Sequence, residues 1–334
     1  RPARLLTLDD AETREAATAD PRGFLALEPE GLLVIYEFQR VPGLALALKA
    51  AVDSDRTSGR FLLTGSVTMP AAQPAGDSLA GRVVGTRVFG FSQGERAGRR
   101  DDFVRAVLRG ALEAQYRSGM GRADYVDLLA AGSMPEACRL PQRYRADWLE
   151  SYVSRLLGRD LREFSRLSDP RRLRSLLAGL AAAQGSETVV ARLGGAVNLS
   201  ASTTTSYMEL LRALHLVERL PPWTPNLLKR EVGRSKYLLT DSALAMRLTR
   251  TSPDTLKDLV RGGALGGLLE AFVAAELMRQ STWCEERFTI SHYRSPDGRE
   301  IDLILELDDG RVIAVEVKAA SSVSAADARH LRWL

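Results

Sequence analysis

Three residues near the C-terminus have the types and spacing for chemistry on a phosphate. In "REIDLILELDDGRVIAVEVKAA" (Arg299 to Ala320), Glu316 comes fourteen positions after Asp302, and Lys318 two positions after Glu316. Side chains alternate along a strand, so Glu316 and Lys318 share one face while Val315 and Val317 take the other. Asp308-Asp309-Gly310 reads as a hairpin turn between the two carriers. Adjacent antiparallel strands then bring Asp302 and Glu316 within reach of one cation. Two carboxylates suit Mg²⁺, which keeps several waters and takes few protein ligands. A lysine beside them can orient or deprotonate a metal-bound water and stabilise charge on a phosphate. Asp302, Glu316 and Lys318 are therefore the candidate catalytic residues. Asp302, Glu316 and Glu270, the last on the helix predicted just before, are the candidate metal ligands. The competing reading is an exposed, ion-paired pair of strands.

These residues need a helix and a hairpin ahead of them. "GGALGGLLEAFVAAELMRQ" has helical periodicity, and "FTISHYRS", "PDGREIDLILEL" and "DDGRVIAVEVKAA" read as strands separated by turns. "AADARHLRWL" reads as the start of another helix.

A second set of polar residues closes apolar runs near the N-terminus. "GLLVIYEFQRV" carries Glu37 after a short continuous apolar stretch, and "GRFLLTGSV" ends in Thr64, Gly65 and Ser66. Between them "PGLALALKAAVDSD" reads as a helix with Pro42 in its first turn. Strand, helix and strand with short connections predict a doubly wound sheet. The Pro/Gly-rich "PAAQPAGDSLAGR" then reads as a loop ending in Arg82.

From about residue 101 to 180 the apolar spacing is helical, with Asp169-Pro170 as a helix start and Gly185 as a stop. "SETVVARLGGAVNLSASTTTSYMELLRALHLVERL" then reads as a helix opening at Ser186 and Glu187, a polar turn near Asn198, a second helix and a strand, the outline of a winged helix. The start of the second helix, "SASTTTSY", is where such a module would meet DNA, though it offers hydroxyls rather than the Arg, Asn or Gln that read base edges. A packing module between domains is the equal alternative.

Composition narrows the class. The 334 residues allow two or three domains, and 45% hydrophobic with 26% charged content is that of a soluble globular protein. No apolar run reaches the length of a membrane span and no secretory leader opens the chain, so cytoplasmic residence without membrane contact is expected. Two cysteines, Cys138 and Cys284, and three histidines leave no basis for a disulfide framework or a zinc site. The net charge of +4 is mild, but arginines crowd between Arg139 and Arg174. They form either a solvated helical face or a surface for a polyanion.

Taken in order, "LLVIYEFQRVP", "RFLLTGS", "SLAGR", "FSQGE", "LPPWTPNL", "KYLLTDSALA", "LLEAFVAAEL" and "EIDLILE…VIAVEVKA" resemble one family. It comprises the prokaryotic AAA-type ATP-binding proteins that carry a C-terminal domain of unknown function with a restriction-endonuclease-like core. The pattern D…E-x-K is similar to that of the PD-(D/E)xK nucleases. The resemblance implies an α/β multidomain fold. Its parts are a partial AAA core at 1–100, a helical region at 101–184, a winged-helix-like domain at 185–260 and a nuclease-like domain at 261–334. It implies ATP and Mg²⁺ as cofactors, DNA as a partner, and Glu37, Thr64, Ser66 and Arg82 as nucleotide-contacting residues. Two departures qualify it. Tyr36 stands where the family's strand carries Asp, and the Walker A loop expected ahead of "RLLTLDD" is not in the sequence, which opens at Arg1. Either the sequence is a piece of a longer protein or its ATPase is degenerate, and the chain as given is expected not to hydrolyse ATP at a useful rate. The leading expectation is an ATPase-derived, DNA-associated protein whose chemistry lies in the C-terminal domain. The alternatives are a non-catalytic regulatory or interaction protein that keeps both folds, and an ATPase whose phosphate loop lies upstream.

Overall fold

The computed structural model describes residues 2–65, 79, 81–113, 116–160, 169–226, 228, 230, 233–320, 322 and 324–333. The chain folds as two compact units, Arg1–Thr86 and Arg87–Leu334.

The first unit is built on a parallel sheet of β1 (Ala3–Thr7), β2 (Leu32–Tyr36) and β3 (Phe61–Leu63), in that order. Among the described residues it also holds helices α1 (Ala11–Ala19), α2 (Pro21–Leu25) and α3 (Leu44–Ser54). Local sequence sets their ends. The Asp10 carboxylate accepts the Thr13 amide at 2.8 Å to start α1, and Asp20 caps α2 with Pro21 at its first position. In β2 alternate residues Leu33 and Ile35 are fully buried against Leu8, Phe24, Phe38, Leu44 and Leu48. Each such burial contributes roughly 1.5–3 kcal/mol. Two details depart from the expectation. Pro42 lies ahead of α3, which Gly43 precedes as the cap. The strand β1, not foreseen, pairs along its whole length with β2. It is a half-exposed edge strand of five residues, with Leu5 69% accessible, so its pattern carries little signal.

The second unit begins with short helices α4 (Gln93–Arg96) and α5 (Phe103–Leu108), then α6 (Arg122–Ala131), α7 (Pro135–Arg139), α8 (Gln142–Arg155) and α9 (Pro170–Ala182). The stripe Leu173, Leu176, Leu177 and Leu180 buries one face of α9. Helices α10 (Val190–Ala196) and α11 (Ala201–Ala213) follow around a turn at Asn198, which adopts φ 55°. Helix α10 starts later than Ser186 because the backbone there is used otherwise: Glu187 bridges to Lys236, and the Thr188 amide donates to Ser235 O at 2.9 Å. Strands β4 (Val217–Leu220) and β5 (Lys236–Leu239) pair antiparallel. Helices α12 (Ser242–Thr249) and α13 (Pro253–Lys257) lead to α14 (Leu265–Gln280).

The antiparallel sheet β6 (Phe288–Arg294), β7 (Glu300–Leu307) and β8 (Val312–Val315) comes last. Gly298 and Gly310, with φ 86° and 84°, make the turns on either side of β7, a conformation that favours glycine. Strand β7 is buried on both faces from Ile301 to Leu305 and packs on Ala271, Ala274 and Leu277 of α14. Residues 325–333 form turns rather than the expected helix. Tertiary contacts hold them: the Ser324 amide donates to Asp327, the His330 ring meets the Glu300 backbone, and the Trp333 ring lies 5.4 Å from that of Tyr293. Among the described residues no helix is long and apolar enough to cross a membrane.

Candidate active site

Asp302 lies in β7, and Glu316 and Lys318 lie just beyond the last paired residue of β8. The register Leu303↔Val315 continues by one step to set Asp302 beside Glu316. The Asp302 amide donates to Glu316 Oε2 at 3.4 Å, and the Val317 amide donates to Asp302 Oδ2 at 2.8 Å. Lys318 Nζ donates to the Glu316 carboxylate and stands 4.0 Å from Asp302 Oδ2. All three side chains line one cavity of about 380 Å³, with Glu300 and His330 also in its wall.

Burial shapes the charges there. Asp302 is 7% exposed, and burial, together with the nearby Glu316 charge, pushes its carboxyl above the ordinary value despite the Val317 hydrogen bond. Burial opposes the Lys318 ammonium, but the hydrogen bond to Glu316 and the charges of both acids outweigh it and raise its pKa. Lys318 is thus an ammonium near neutrality, suited to charge stabilisation rather than to taking a proton.

Glu270 sits apart from this trio. It projects from α14 to Lys236 Nζ, with Oε1 at 2.8 Å. Lys236 also holds Glu300 Oε1 at 3.0 Å and is itself only 2% exposed. Burial pushes the Glu270 carboxyl up to about 7 against the pull of Lys236. Two acids share one ammonium here: the more buried Glu270 is protonated first, and Glu300 stays ionised as the partner that holds Lys236 charged. Among the described residues no three His, Cys, Asp or Glu side chains gather as a metal-holding group. In the cavity, Asp302 and Glu316 are neighbouring carboxylates whose hard oxygens would suit Mg²⁺ with a mostly aqueous shell.

Sequence reasoning missed Lys236. Its signal was present: it shares a strand face with Leu238, and both are buried, so a charge was placed where the pattern demands an apolar side chain. His292 was also missed. A register irregularity in β6 between Ser291 and Tyr293 turns its ring inward, where it is fully buried with Nε2 3.1 Å from Arg234 O.

In the first unit, Glu37 and Thr64 directly follow the C-terminal ends of β2 and β3. The Phe38 amide donates to Thr64 O at 3.0 Å and the Thr64 amide to Ile35 O at 3.0 Å. Glu37 adopts φ 58°, and its carboxylate accepts from Gln39 Nε2 at 2.6 Å. The Thr64 hydroxyl is shielded from water with no hydrogen-bond partner among the described residues. A hydroxyl and a carboxylate at the ends of parallel strands are groups of the kind that would suit a nucleotide phosphate and its Mg²⁺. Tyr36, the neighbour that replaces the expected acid, is 46% exposed. Arg82 points elsewhere, its guanidinium donating to both oxygens of Asp53 on α3 at 2.9 Å each. Ser66 lies outside the described residues.

Comparisons with known proteins match three stretches of the chain. Residues 1–97 match the family described as AAA domain, residues 122–255 the Domain of unknown function (DUF8612), and residues 265–334 the Domain of unknown function (DUF4143). The N-terminal unit thus resembles AAA domains over residues 1–97. Over 318 residues, 94% of its length, the chain is 29% identical to Uncharacterized protein Rv2008c of Mycobacterium tuberculosis and to Uncharacterized protein Mb2031c of Mycobacterium bovis. It spans 65% of the length of these curated relatives. No solved structure matches the chain. Asp302, Glu316, Lys318 and Glu270 all fall in the last matched segment, whereas Lys236 comes from the one before it.

Proposed function

We propose that this protein joins an AAA-type nucleotide-binding domain to a nuclease-like C-terminal domain that cleaves phosphodiesters in DNA, the segment between them being a winged-helix-like module. The observation that carries the reading is the convergence of Asp302, Glu316 and Lys318 on one cavity. In this reading Asp302 and Glu316 hold Mg²⁺, which would supply an activated water and neutralise phosphate charge. The Val317 amide orients the Asp302 carboxylate, and Lys318 places a positive charge beside the scissile phosphate. Lys236 fixes Glu300 in the cavity wall. Ser202, Thr205 and Ser206 are exposed on α11, where a DNA backbone would have to displace the bonds that their hydroxyls make within the helix.

The test is plasmid nicking with Mg²⁺ or Mn²⁺. The wild type should nick, and Glu316→Ala should lose activity by about 100-fold or more. Equal nicking by the two proteins would rule the assignment out.

A second reading is a regulatory or interaction protein that keeps both folds without turnover. Tyr36, in place of an acid at the end of β2, and the Lys318 ammonium, already seated on Glu316, favour it. Calorimetric detection of tight Mg²⁺ binding that is lost in Glu316→Ala would exclude it.

A further inference from the structure

A second cavity, of about 850 Å³, opens between α8 and α9, which carry part of the arginine-rich segment, and α12. Four arginines line it, Arg145, Arg174, Arg247 and Arg250, against one acid, Glu150. Their roles differ. Arg145 is structural: its guanidinium donates to the carbonyls of Ala130, Leu140 and Ala137 at 2.9–3.0 Å and so ties α6 and α7 to α8. Arg174 from α9 and Arg247 from α12 instead reach across the cleft to the same carboxylate. Arg174 Nη2 lies 2.8 Å from Glu150 Oε1, and Arg247 Nε 3.2 Å from Oε2. Arg174 Nη1 is shielded from water with no hydrogen-bond partner among the described residues. Two guanidiniums from separate helices thus share one carboxylate and keep a donor to spare, while the cavity before them stays open. Arg250, the exposed cap of α12 at φ 56°, adds a further positive charge at the rim.

This arrangement holds more positive charge than its own acid neutralises. Its donors point from different helices toward one place, which suits an anion with several oxygens better than a single carboxylate. We propose that the cleft is a phosphate-binding site in which Glu150 occupies the position of the incoming phosphoryl group and is displaced by it. The phosphoryl group belongs either to a nucleic-acid backbone or to a small phosphate ester. The site lies outside the carboxylate–lysine constellation and does not rest on the nuclease reading.

Calorimetric titration of the full chain with inorganic pyrophosphate, and separately with a short single-stranded oligonucleotide, tests it. Binding in the oligonucleotide arm with little in the other identifies the backbone as the source, and the reverse identifies a small ester. The double variant Arg174→Gln/Arg247→Gln should bind at least tenfold more weakly in the arm that responds. Glu150→Gln should bind several-fold more tightly, since it frees both guanidiniums without adding a negative charge. A purely structural role for the ion pairs cannot produce that gain. Absence of binding in both arms overturns the proposal. So does an unchanged affinity in the double variant, or a Glu150→Gln variant no tighter than the wild type. Binding retained by Glu316→Ala keeps the two sites distinguishable.

Discussion

The two sites predicted from the sequence differ most in how much water they exclude. At the C-terminal site Asp302, Glu316, Glu270 and Lys236 are mostly buried, and burial is the leading cause of the raised Asp302 and Glu270 pKa values. In the N-terminal unit Tyr36 is half-exposed and Arg82 is spent on an ion pair with Asp53 near the surface. A charge excluded from water must be answered by another charge, so the C-terminal arrangement is tightly determined and sensitive to single substitutions. The N-terminal residues are joined through backbone hydrogen bonds, and the Glu37 and Arg82 side chains hold local partners, Gln39 and Asp53, that a ligand would have to displace. The first kind of site holds electrostatic work already done in folding. The second waits for the ligand to do it.

That contrast is broken most directly at Lys236. Lys236→Met leaves Glu270 and Glu300 without their counter-ion and should destabilise the chain by about 3–5 kcal/mol, read from urea unfolding. Adding Glu270→Gln should recover part of the loss. A single variant as stable as the wild type would mean that burial does not govern this site.

Next in size is a dependence on pH. Burial, the leading cause, and the Lys236 and Arg294 charges hold the His292 pKa at about 4, while the Arg234 carbonyl and Glu300 act in the opposite sense. The unfolded chain, with a histidine near its ordinary 6.5, binds more protons between these values. Stability from His292 is therefore complete above pH ~6.5 and is lost as the pH falls toward about 4, by an amount on the order of 3 kcal/mol. His215, lowered to about 4 mainly by burial, acts in the same direction. Glu270 acts in the opposite one: its raised carboxyl makes stability fall as pH rises toward about 7. Unfolding midpoints of His292→Asn and the wild type across pH 4–7 should differ in slope, the variant being flatter. Parallel curves would show that the ring is accessible to protons in the folded chain.

How much of this could be read in advance follows the same division. The strand β2, the helix α14 and the hairpin carrying Asp302, Glu316 and Lys318 were legible because apolar periodicity and the two Asp-Gly turns specify them locally. The meeting of Asp302 with Glu316 was legible too, since hairpin register is short-range. Lys236 was not, because its partners Glu270 and Glu300 lie 34 and 64 positions away and nothing local announces a buried ammonium. The turns of residues 325–333 escaped for a similar reason: a helix-like pattern gave way to contacts with Tyr293 and the Glu300 backbone. Of the Arg174–Glu150–Arg247 arrangement only Arg174 fell within the crowding of arginines, since three separate helices supply it.

The smallest expected effect is at Arg82, and it sharpens the contrast from the other side. The Arg82–Asp53 pair is bidentate, with both distances 2.9 Å, yet it lies at the surface, where water competes for each group and ordering two side chains offsets the attraction. Arg82→Gln should leave the thermal midpoint within ~2 °C of the wild type. If Arg82 leaves Asp53 for a nucleotide phosphate, the stabilisation given by added Mg²⁺ and ATP should shrink in the variant while the midpoint without nucleotide stays put. A midpoint lowered by many degrees without nucleotide would show that the N-terminal arrangement is as firmly built as the C-terminal one, and burial would no longer explain the difference between them.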